Sequence, residues 1–311
     1  RDSSTSRGLG DVYKRQMDEN TVVMMTEQEA IEGLRKYMED TGKNQTAVSK
    51  ELDISTGMIS AFLKGTYKAP HTVIPKVQEL LQMREKKKVA PKEPEYRETS
   101  ISRTVLNTIK YCHVQGKVGV VYGDAGIGKT MAFNQYLKEN SLAVGITISP
   151  TYASITGVNE LLGEQLGVRE RVARKITKEI VTKLKGSGRV IIIDEAQLLT
   201  TRTLNHLRCL SDESGVGLCL IGNLEVYTRL KGTGKADFAQ LFSRLGMAKP
   251  VMTINLTQAD VDNVFGDYDI DQDSLNILYH ICQSNYGLRG AVNVYVLSLI
   301  HISEPTRRRG I

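Results

Sequence analysis

The chain has little of what builds disulfide-stapled, metal-stapled or membrane proteins. It contains no tryptophan, 6% aromatic residues, 7 prolines and 4 cysteines in 311 residues. The cysteines form no C-x-x-C pair, so neither a disulfide framework nor a zinc site is indicated; they are Cys112, Cys209, Cys219 and Cys282. No apolar run approaches the roughly 18 residues needed to cross a bilayer, and no signal-peptide pattern is present. We therefore expect a soluble protein of the cytoplasm without a membrane partner.

The two ends of the chain lack the pattern of a folded domain. Residues 1–16 show no clear periodicity, and residues 299–311 interrupt a helical pattern and end in a run of arginines. Both stretches resemble translated sequencing-adapter text, although a natural basic tail is an alternative for the second. We expect a non-native leader at 1–16, a true start at Met17, a non-native tail at 299–311 and a missing native C-terminus. Segments of this kind are kept out of fold reasoning.

A glycine-rich segment, Gly123–Thr130, fits the phosphate-binding pattern G-x-x-x-x-G-K-[ST]. An apolar β-type run precedes it and a helical pattern follows, so a helix N-terminus would direct backbone N–H groups at phosphate oxygens. Lys129 would reach the β- and γ-phosphates, and the Thr130 hydroxyl would bind Mg²⁺. We predict that the segment binds a nucleoside triphosphate through Gly123, Asp124, Ala125, Gly126, Ile127, Gly128, Lys129 and Thr130.

A second nucleotide motif follows a run of β-branched residues. The run ends in two adjacent carboxylates, Asp194 and Glu195, and its composition suits a central parallel strand buried on both faces. Asp194, at the strand tip, would hold Mg²⁺, and Glu195 would orient or deprotonate the attacking water. The sequence therefore predicts nucleotide hydrolysis as well as binding.

The N-terminal part of the chain resembles a helix-turn-helix of the phage-repressor type. Apolar residues recur at helical spacing over Thr26–Lys43, and Gln45–Leu63 follows the helix-turn-helix pattern. Ser55 would cap the recognition helix. We predict that DNA is contacted by Ser55, Thr56, Met58, Ser60 and Lys64. These short polar side chains, without an arginine or asparagine reader, indicate weak sequence specificity; a module for protein contacts is the alternative.

A second candidate DNA surface is a basic stretch, Arg169–Lys185, which we predict to be helical. Its positive charges could neutralise backbone phosphates without reading bases; the candidates are Arg171, Arg174, Lys175 and Lys178. An ordinary solvated helix is the alternative explanation of such a charge run. The net charge of +6 favours a polyanionic partner.

The order of the elements predicts an α/β fold with a parallel sheet. Strand-like and helix-like segments alternate after residue 99, and helical segments close the chain. Residues 84–95 are charged and contain two prolines, which indicates a semi-extended linker. We expect a helix-turn-helix domain at 17–83, a linker at 84–98, a phosphate-loop core at 99–255 and a partial helical lid at 256–298.

This order of elements resembles that of the AAA+ ATPases, and three short segments of the chain resemble conserved motifs of that family. By this resemblance Asn223 would be the sensor-1 residue that positions the attacking water. Arg244, in Phe242–Gly246, would be an arginine finger that completes a neighbouring subunit's site. Arg289, in Tyr286–Asn293, would be the sensor-2 residue that contacts the nucleotide within its own subunit.

The run from Thr26 to Asn293 also resembles the phage Mu B-like family of target-DNA activators of transposition. The matching stretches are Ser55–Ser60, Ile146–Ser154, Ile192–Ala196, Gly217–Asn223 and Phe238–Arg244. The tetrad Asp194–Gln197 departs slightly from the expected pattern. The resemblance implies an ATP- and Mg²⁺-dependent protein that assembles on double-stranded DNA with little sequence preference. It would present that DNA to a DNA transposase.

Two other functional classes stay open at this point. The letters DEAQ at Asp194–Gln197 suggest a helicase or clamp-loader-like motor, although no helicase motif follows. A helix-turn-helix regulator with an ATPase switch is the other class, and high-affinity binding to one operator would identify it.

Overall fold

The structure, a computed structural model, describes residues 25–231 and 245–303. The chain divides into two compact units, and the boundary follows Pro91. The two units are described separately below.

The N-terminal unit is a small helical domain. Its helices are α1 (Glu27–Thr41), α2 (Gln45–Glu51), α3 (Thr56–Leu63) and α4 (Ile74–Val89), with a 3₁₀ turn at Pro70–Thr72. Hydrogen bonds from backbone N–H groups to side chains cap the first three helices at Thr26, Asn44 and Ser55. One apolar cluster holds them together; its fully buried members include Leu34, Val48, Ile59, Phe62 and Val77.

Our prediction of a semi-extended linker was wrong for its first residues, 84–89. Helix α4 continues through Val89, so the lysines at 86–88 are helical. Glutamate, lysine and arginine are good helix formers, and the first proline of the predicted linker, Pro91, comes only after the helix has ended. Arg84 also donates to Asp40 at 3.0 Å, which ties α4 to α1.

The C-terminal unit is built on a five-stranded sheet. Its strands lie in the order β2-β3-β4-β1-β5, and all four neighbouring pairs are parallel. The strands are β1 (Val118–Gly123), β2 (Ala143–Thr147), β3 (Val190–Asp194), β4 (Gly217–Gly222) and β5 (Leu245–Val251). The predicted α/β fold with a parallel sheet is therefore confirmed.

Helices cover both faces of this sheet. The described helices of the unit are α5 (Ser100–Gln115), α6 (Lys129–Glu139), α7 (Ile155–Leu166), α8 (Ala173–Leu184), α9 (Thr201–Ser214), α10 (Leu224–Lys231), α11 (Gln258–Phe265), α12 (Gln272–Gln283) and α13 (Gly287–Ser303). One apolar cluster joins α5, α6 and α11–α13 to one face of the sheet. The other joins α7–α10 to the opposite face. Strand β3 shows why: Ile192 enters the first cluster, whereas Ile191 and Ile193 enter the second, as side chains alternate along a strand.

Strand β5 ends at Val251, and a 3₁₀ turn occupies Thr253–Asn255. The strand contains Pro250, which a sheet tolerates at an edge, and β5 is an edge strand. Helix α13 extends to Ser303, past residue 299, where we expected the tail to begin; residues 1–16 lie outside the described ranges. Within those ranges, no helix combines the length and apolarity needed to cross a membrane.

Asp260, on α11, connects the start of that helix to the start of α5. Its carboxylate accepts hydrogen bonds from the N–H and hydroxyl of Ser100, at 2.6 and 2.7 Å, and from the same two groups of Thr257, at 2.8 and 2.9 Å. Burial alone raises the pKa of Asp260, but these four bonds outweigh it, so the pKa lies below its ordinary value. The ionised carboxylate therefore stabilises the junction of α5 and α11.

We predict that Asp260→Ala lowers the free energy of opening of α5 and α11 by about 2 kcal/mol at neutral pH, because it removes the four bonds. Since the pKa is lower in the folded state, this stabilisation is present above the unfolded-state value of about 3.9 and is lost as the pH falls through the folded-state pKa. Hydrogen exchange of peptides from both helices measures it. Asp262→Ala, an exposed change on the same helix, is the control. A deficit that stays constant down to low pH would contradict this assignment.

Candidate functional site

The glycine-rich segment lies between the end of β1 and the start of α6. Gly123 packs so closely on β5 that a Cβ there would lie 1.5 Å from the Val251 carbonyl oxygen. Gly126 has a φ of 73°, in the left-handed region that favours glycine. Gly128, Lys129 and Thr130, at the start of α6, line a cavity of about 450 Å³. This is the geometry of an anion site at a helix N-terminus.

Lys129 lies in this loop with its charge partly desolvated. Its ammonium donates to the carbonyl oxygens of Gly123, at 3.1 Å, and Asp124. Burial lowers the pKa of Lys129, and the nearby carboxylates, Asp194 first, oppose that effect. The loop carbonyls are neutral acceptors, so an anionic oxygen would be a stronger partner for the ammonium.

Thr130 and Asp194 meet although they are far apart in the sequence. The Thr130 hydroxyl donates to Asp194 Oδ2 at 2.8 Å. Asp194 is only 2% exposed, and this burial raises the pKa of its carboxyl, while the Thr130 hydroxyl opposes part of the rise. Thr130 lines the cavity, and the buried Asp194 carboxylate lies directly behind it, in contact with the Thr130 hydroxyl.

Glu195 leaves β3 in an unusual backbone conformation. Its φ is 57°, a left-handed value that few residues other than glycine adopt and that occurs often at functional sites. The Gln197 amide donates to Glu195 Oε2. The Gln197 Oε1 atom accepts from the Asn223 backbone N–H at 3.2 Å, so one side chain joins the predicted water-orienting residue to the predicted sensor 1.

The start of the last helix closes the cavity over the phosphate loop. The Arg289 backbone N–H donates to the Gly126 carbonyl oxygen at 2.8 Å, and Arg289 lines the cavity with Leu288. Both glycines at this contact, Gly126 and Gly287, have positive φ values. The structure therefore brings Arg289 to the same cavity as Lys129, Thr130, Glu195 and Asn223. Arg244 lies outside the described residues.

The cavity also has a wall that our sequence analysis missed. Residues 93–97, which we assigned to the linker, line it together with Thr99 and Ser102 of the α5 start. The Tyr96 hydroxyl is buried, and this burial raises the pKa of its phenol. No local motif marks this segment; only its position just before α5 brings it to the phosphate loop.

The predicted DNA-contacting residues of α3 differ in how available they are. Ser55, Thr56 and Lys64 are exposed, whereas Met58 and Ser60 are half-buried. The Ser55 hydroxyl accepts from the Met58 N–H at 3.2 Å, and Thr56 Oγ1 lies 3.2 Å from Ser49 Oγ. Two of the polar groups are therefore already engaged within the unit.

The basic stretch is exposed but only partly helical. Helix α8 begins at Ala173, so Arg171 precedes it, contrary to our prediction of a helix from Arg169. The reason is local: residues 167–172 form the connection after the Gly167 cap of α7. Arg174, Lys175 and Lys178 lie on α8, and all four basic residues are exposed.

Comparisons with known proteins give consistent results. A family model described as AAA domain matches residues 112–230. The Mu-like prophage FluMu DNA transposition protein B of Haemophilus influenzae is 30% identical over 275 residues, which cover 85% of this chain and 94% of that protein. The ATP-dependent target DNA activator B of Escherichia phage Mu and its counterpart of Escherichia phage D108 are each 30% identical over 265 residues, 83% of both chains. The phosphate loop and Asp194 thus lie in a nucleotide-binding AAA domain.

We predict that Tyr96 contributes to nucleotide affinity. Tyr96→Ala should raise the Kd for a fluorescent ATP analogue about tenfold, because it removes buried aromatic surface from the cavity wall. Tyr96→Phe, which keeps the ring and removes only the hydroxyl, is the matched control and should bind more tightly than the alanine variant. Equal affinity of wild type and Tyr96→Ala, both shown to be folded by circular dichroism, would place the nucleotide elsewhere in the cavity.

Proposed function

This chain belongs to the Mu B family of DNA transposition proteins, and we propose that it is an ATP-dependent target-DNA activator. In its ATP state it captures double-stranded DNA with little sequence preference, assembles on it and activates a DNA transposase. It does so in the cytoplasm, where DNA and ATP are both available. The ATPase activity follows from the AAA domain; coupling of that activity to DNA is our proposal.

The observation that carries this proposal is the convergence of Lys129, Thr130 and Glu195 at one cavity, with Asp194 hydrogen-bonded to Thr130. Lys129 binds the β- and γ-phosphates, and the N–H groups of the loop hold the remaining phosphate oxygens. Glu195 orients the attacking water, and Asn223 completes its placement from the tip of β4. Arg289 contacts the nucleotide from the lid. Catalysis is then by positioning and charge neutralisation.

The donor set of the cavity fits Mg²⁺. Thr130 and Asp194 offer a hydroxyl and a carboxylate, the oxygen ligands that Mg²⁺ prefers, and they already meet at 2.8 Å. The described residues hold no cluster of three or more acidic, histidine or cysteine side chains able to bind a metal alone. A cation at Thr130 and Asp194 would therefore take further ligands from nucleotide phosphates and water. When bound, it neutralises the charge that develops on those phosphates.

DNA contact is assigned to two exposed surfaces. In the N-terminal unit, α3 presents Thr56 and Lys64; in the C-terminal unit, the stretch from Arg171 to Lys178 presents its basic side chains. None of Arg171, Arg174, Lys175 and Lys178 forms an ion pair with another described residue. Free positive charges bind duplex DNA by displacing its counterions, which needs no base sequence.

The main test of this function removes the charge that binds triphosphate. Lys129→Ala should weaken ATP binding by on the order of 100-fold and should abolish stable DNA binding, because the grip depends on the ATP state. Lys138→Ala removes one exposed positive charge from the same helix and is the matched control.

Glu195→Gln should have the opposite effect on DNA binding: the variant still binds ATP and forms long-lived DNA complexes with little phosphate release. Filter binding with duplex DNA at fixed salt, with and without ATP, measures all three.

Full DNA affinity in Lys129→Ala would overturn the ATP-dependent grip. Tight binding to one operator sequence alone would favour a regulator, and ATP-driven strand displacement would favour a motor.

Arg244 tests whether the protein works as an assembly. If Arg244 completes a neighbour's site, Arg244→Ala should leave ATP binding by the isolated subunit nearly intact while hydrolysis falls by on the order of 10³ or more. Mixing Arg244→Ala with Lys129→Ala subunits should restore part of the activity, because a subunit that retains Arg244 serves the intact phosphate loop of its neighbour. Phosphate release from the separate and mixed variants measures this.

Unchanged turnover in Arg244→Ala would remove Arg244 from the mechanism. Arg229 would be the next candidate, although it already donates to the Leu199 carbonyl oxygen at 2.7 Å and to Glu225.

A further inference from the structure

The Gln197 side chain contacts both Glu195 and Asn223, the residue after β4. Its amide N–H donates to Glu195 Oε2, and its amide oxygen accepts from the Asn223 N–H at 3.2 Å. Both polar ends of a single side chain are thus engaged, each by a residue predicted to act on the attacking water. The contact with Asn223 is not visible in the sequence, where the two residues are 26 positions apart.

The backbone at Glu195 does not by itself fix the direction of its carboxylate. Glu195 is half-buried and left-handed, with a φ of 57°, and it stands between the last residue of β3 and the 3₁₀ turn Ala196–Leu198. Within the described residues, the hydrogen bond from Gln197 is the side-chain bond that fixes the Glu195 carboxylate. A carboxylate on such a turn needs a partner to point in one direction.

The end of β4 leaves space for this partner. Gly222 has no Cβ; one built there would lie 2.5 Å from Gln197 Oε1 and 3.3 Å from the Gln197 backbone nitrogen. The φ of Gly222 is not among the positive values, so glycine is required here by the close approach of Gln197 and not by backbone conformation. The bare backbone at Gly222 thus lets the amide reach the Asn223 N–H.

A second contact ties the same two segments together. Arg229, on α10, donates to the carbonyl oxygen of Leu199 at 2.7 Å. The segment that carries Glu195 and the segment from Gly222 through α10 are therefore joined at both ends, by Gln197 and by Arg229. A displacement of one segment moves the other, and Gln197 is the link that ends on the Glu195 carboxylate.

We propose that Gln197 is a positioning residue for hydrolysis, which sets the direction of the Glu195 carboxylate according to the position of the β4 tip. This inference rests on the proposed role of Glu195. Gln197 lines the cavity but acts through Glu195, so its loss should slow the hydrolytic step without weakening nucleotide binding. Outer-shell partners of this kind typically contribute about 10- to 100-fold.

The test uses an isosteric change. Gln197→Met keeps the volume of the side chain and removes both hydrogen bonds. We expect kcat for ATP hydrolysis to fall about 10- to 100-fold, while KM and the Kd for an ATP analogue change less than about twofold. Gly222→Ala, which displaces Gln197 by a different route, should give the same split. Gln135→Met is the matched control, since Gln135 also donates to a glutamate, Glu139, on the surface of α6.

A double variant separates positioning from packing. If Gln197 acts through Glu195, Gln197→Met should cause no further loss of single-turnover hydrolysis in a Glu195→Gln background, because interacting residues are non-additive. A role in packing alone predicts that Gln197→Met behaves like wild type, and an independent role predicts additive losses; either result would overturn the proposal. If the wild-type protein itself hydrolyses no ATP, the proposed function fails first. If the wild-type protein hydrolyses ATP and Gln197→Met hydrolyses it at the same rate, only the role of Gln197 is rejected.

Discussion

The site depends on one constraint, which is that all the strands of the sheet run in parallel. The carboxyl ends of β1, β3 and β4 therefore lie at one edge, and each ends in a residue that the site uses: Gly123, Asp194 and Gly222. Strand β4 separates β1 from β3, and α6, which follows β1, carries Thr130 back to Asp194. In open α/β sheets the crevice beyond such ends is the usual ligand site. An antiparallel pairing would send these residues to opposite edges.

Burial at this edge disfavours charge of both signs. It lowers the pKa of Lys129 and raises the pKa of Asp194, so each ionised form would be stabilised by an oppositely charged partner. A phosphate would be that partner for Lys129, and a divalent cation for Asp194. A metal–triphosphate complex supplies both partners at once. Because burial destabilises the charged forms of Lys129 and Asp194, the site would bind this complex better than the metal or the triphosphate alone.

What the sequence could predict follows from the range of the interactions. The phosphate loop, Asp194 and Glu195 are short motifs between a strand and its next element, and the Ser55 cap of α3 is local as well; the structure contains the predicted strand, loop and cap at those positions. Tyr96 escaped prediction because only the fold brings it to the cavity of the phosphate loop. The role of Gln197 escaped prediction because its contact with Asn223 spans 26 positions. The extent of α4 was misjudged because charged residues without an apolar face were taken for a linker, although their helix propensity is high.

The exposed polar side chains of α3 determine whether that helix could read a DNA sequence. Direct readout needs side chains that carry free donors and acceptors to base edges in the major groove. Here the Ser55 hydroxyl caps its helix, Thr56 lies beside Ser49, and Met58 and Ser60 are half-buried. Lys64 is exposed, but a lysine at a helix end neutralises a phosphate more readily than it reads a base. Few side chains on α3 are therefore free to contact base edges. Since the basic residues from Arg171 to Lys178 form no ion pair with another described residue, the affinity for DNA would come mainly from charge. Such binding tolerates almost any target sequence, as the proposed capture of DNA with little sequence preference requires.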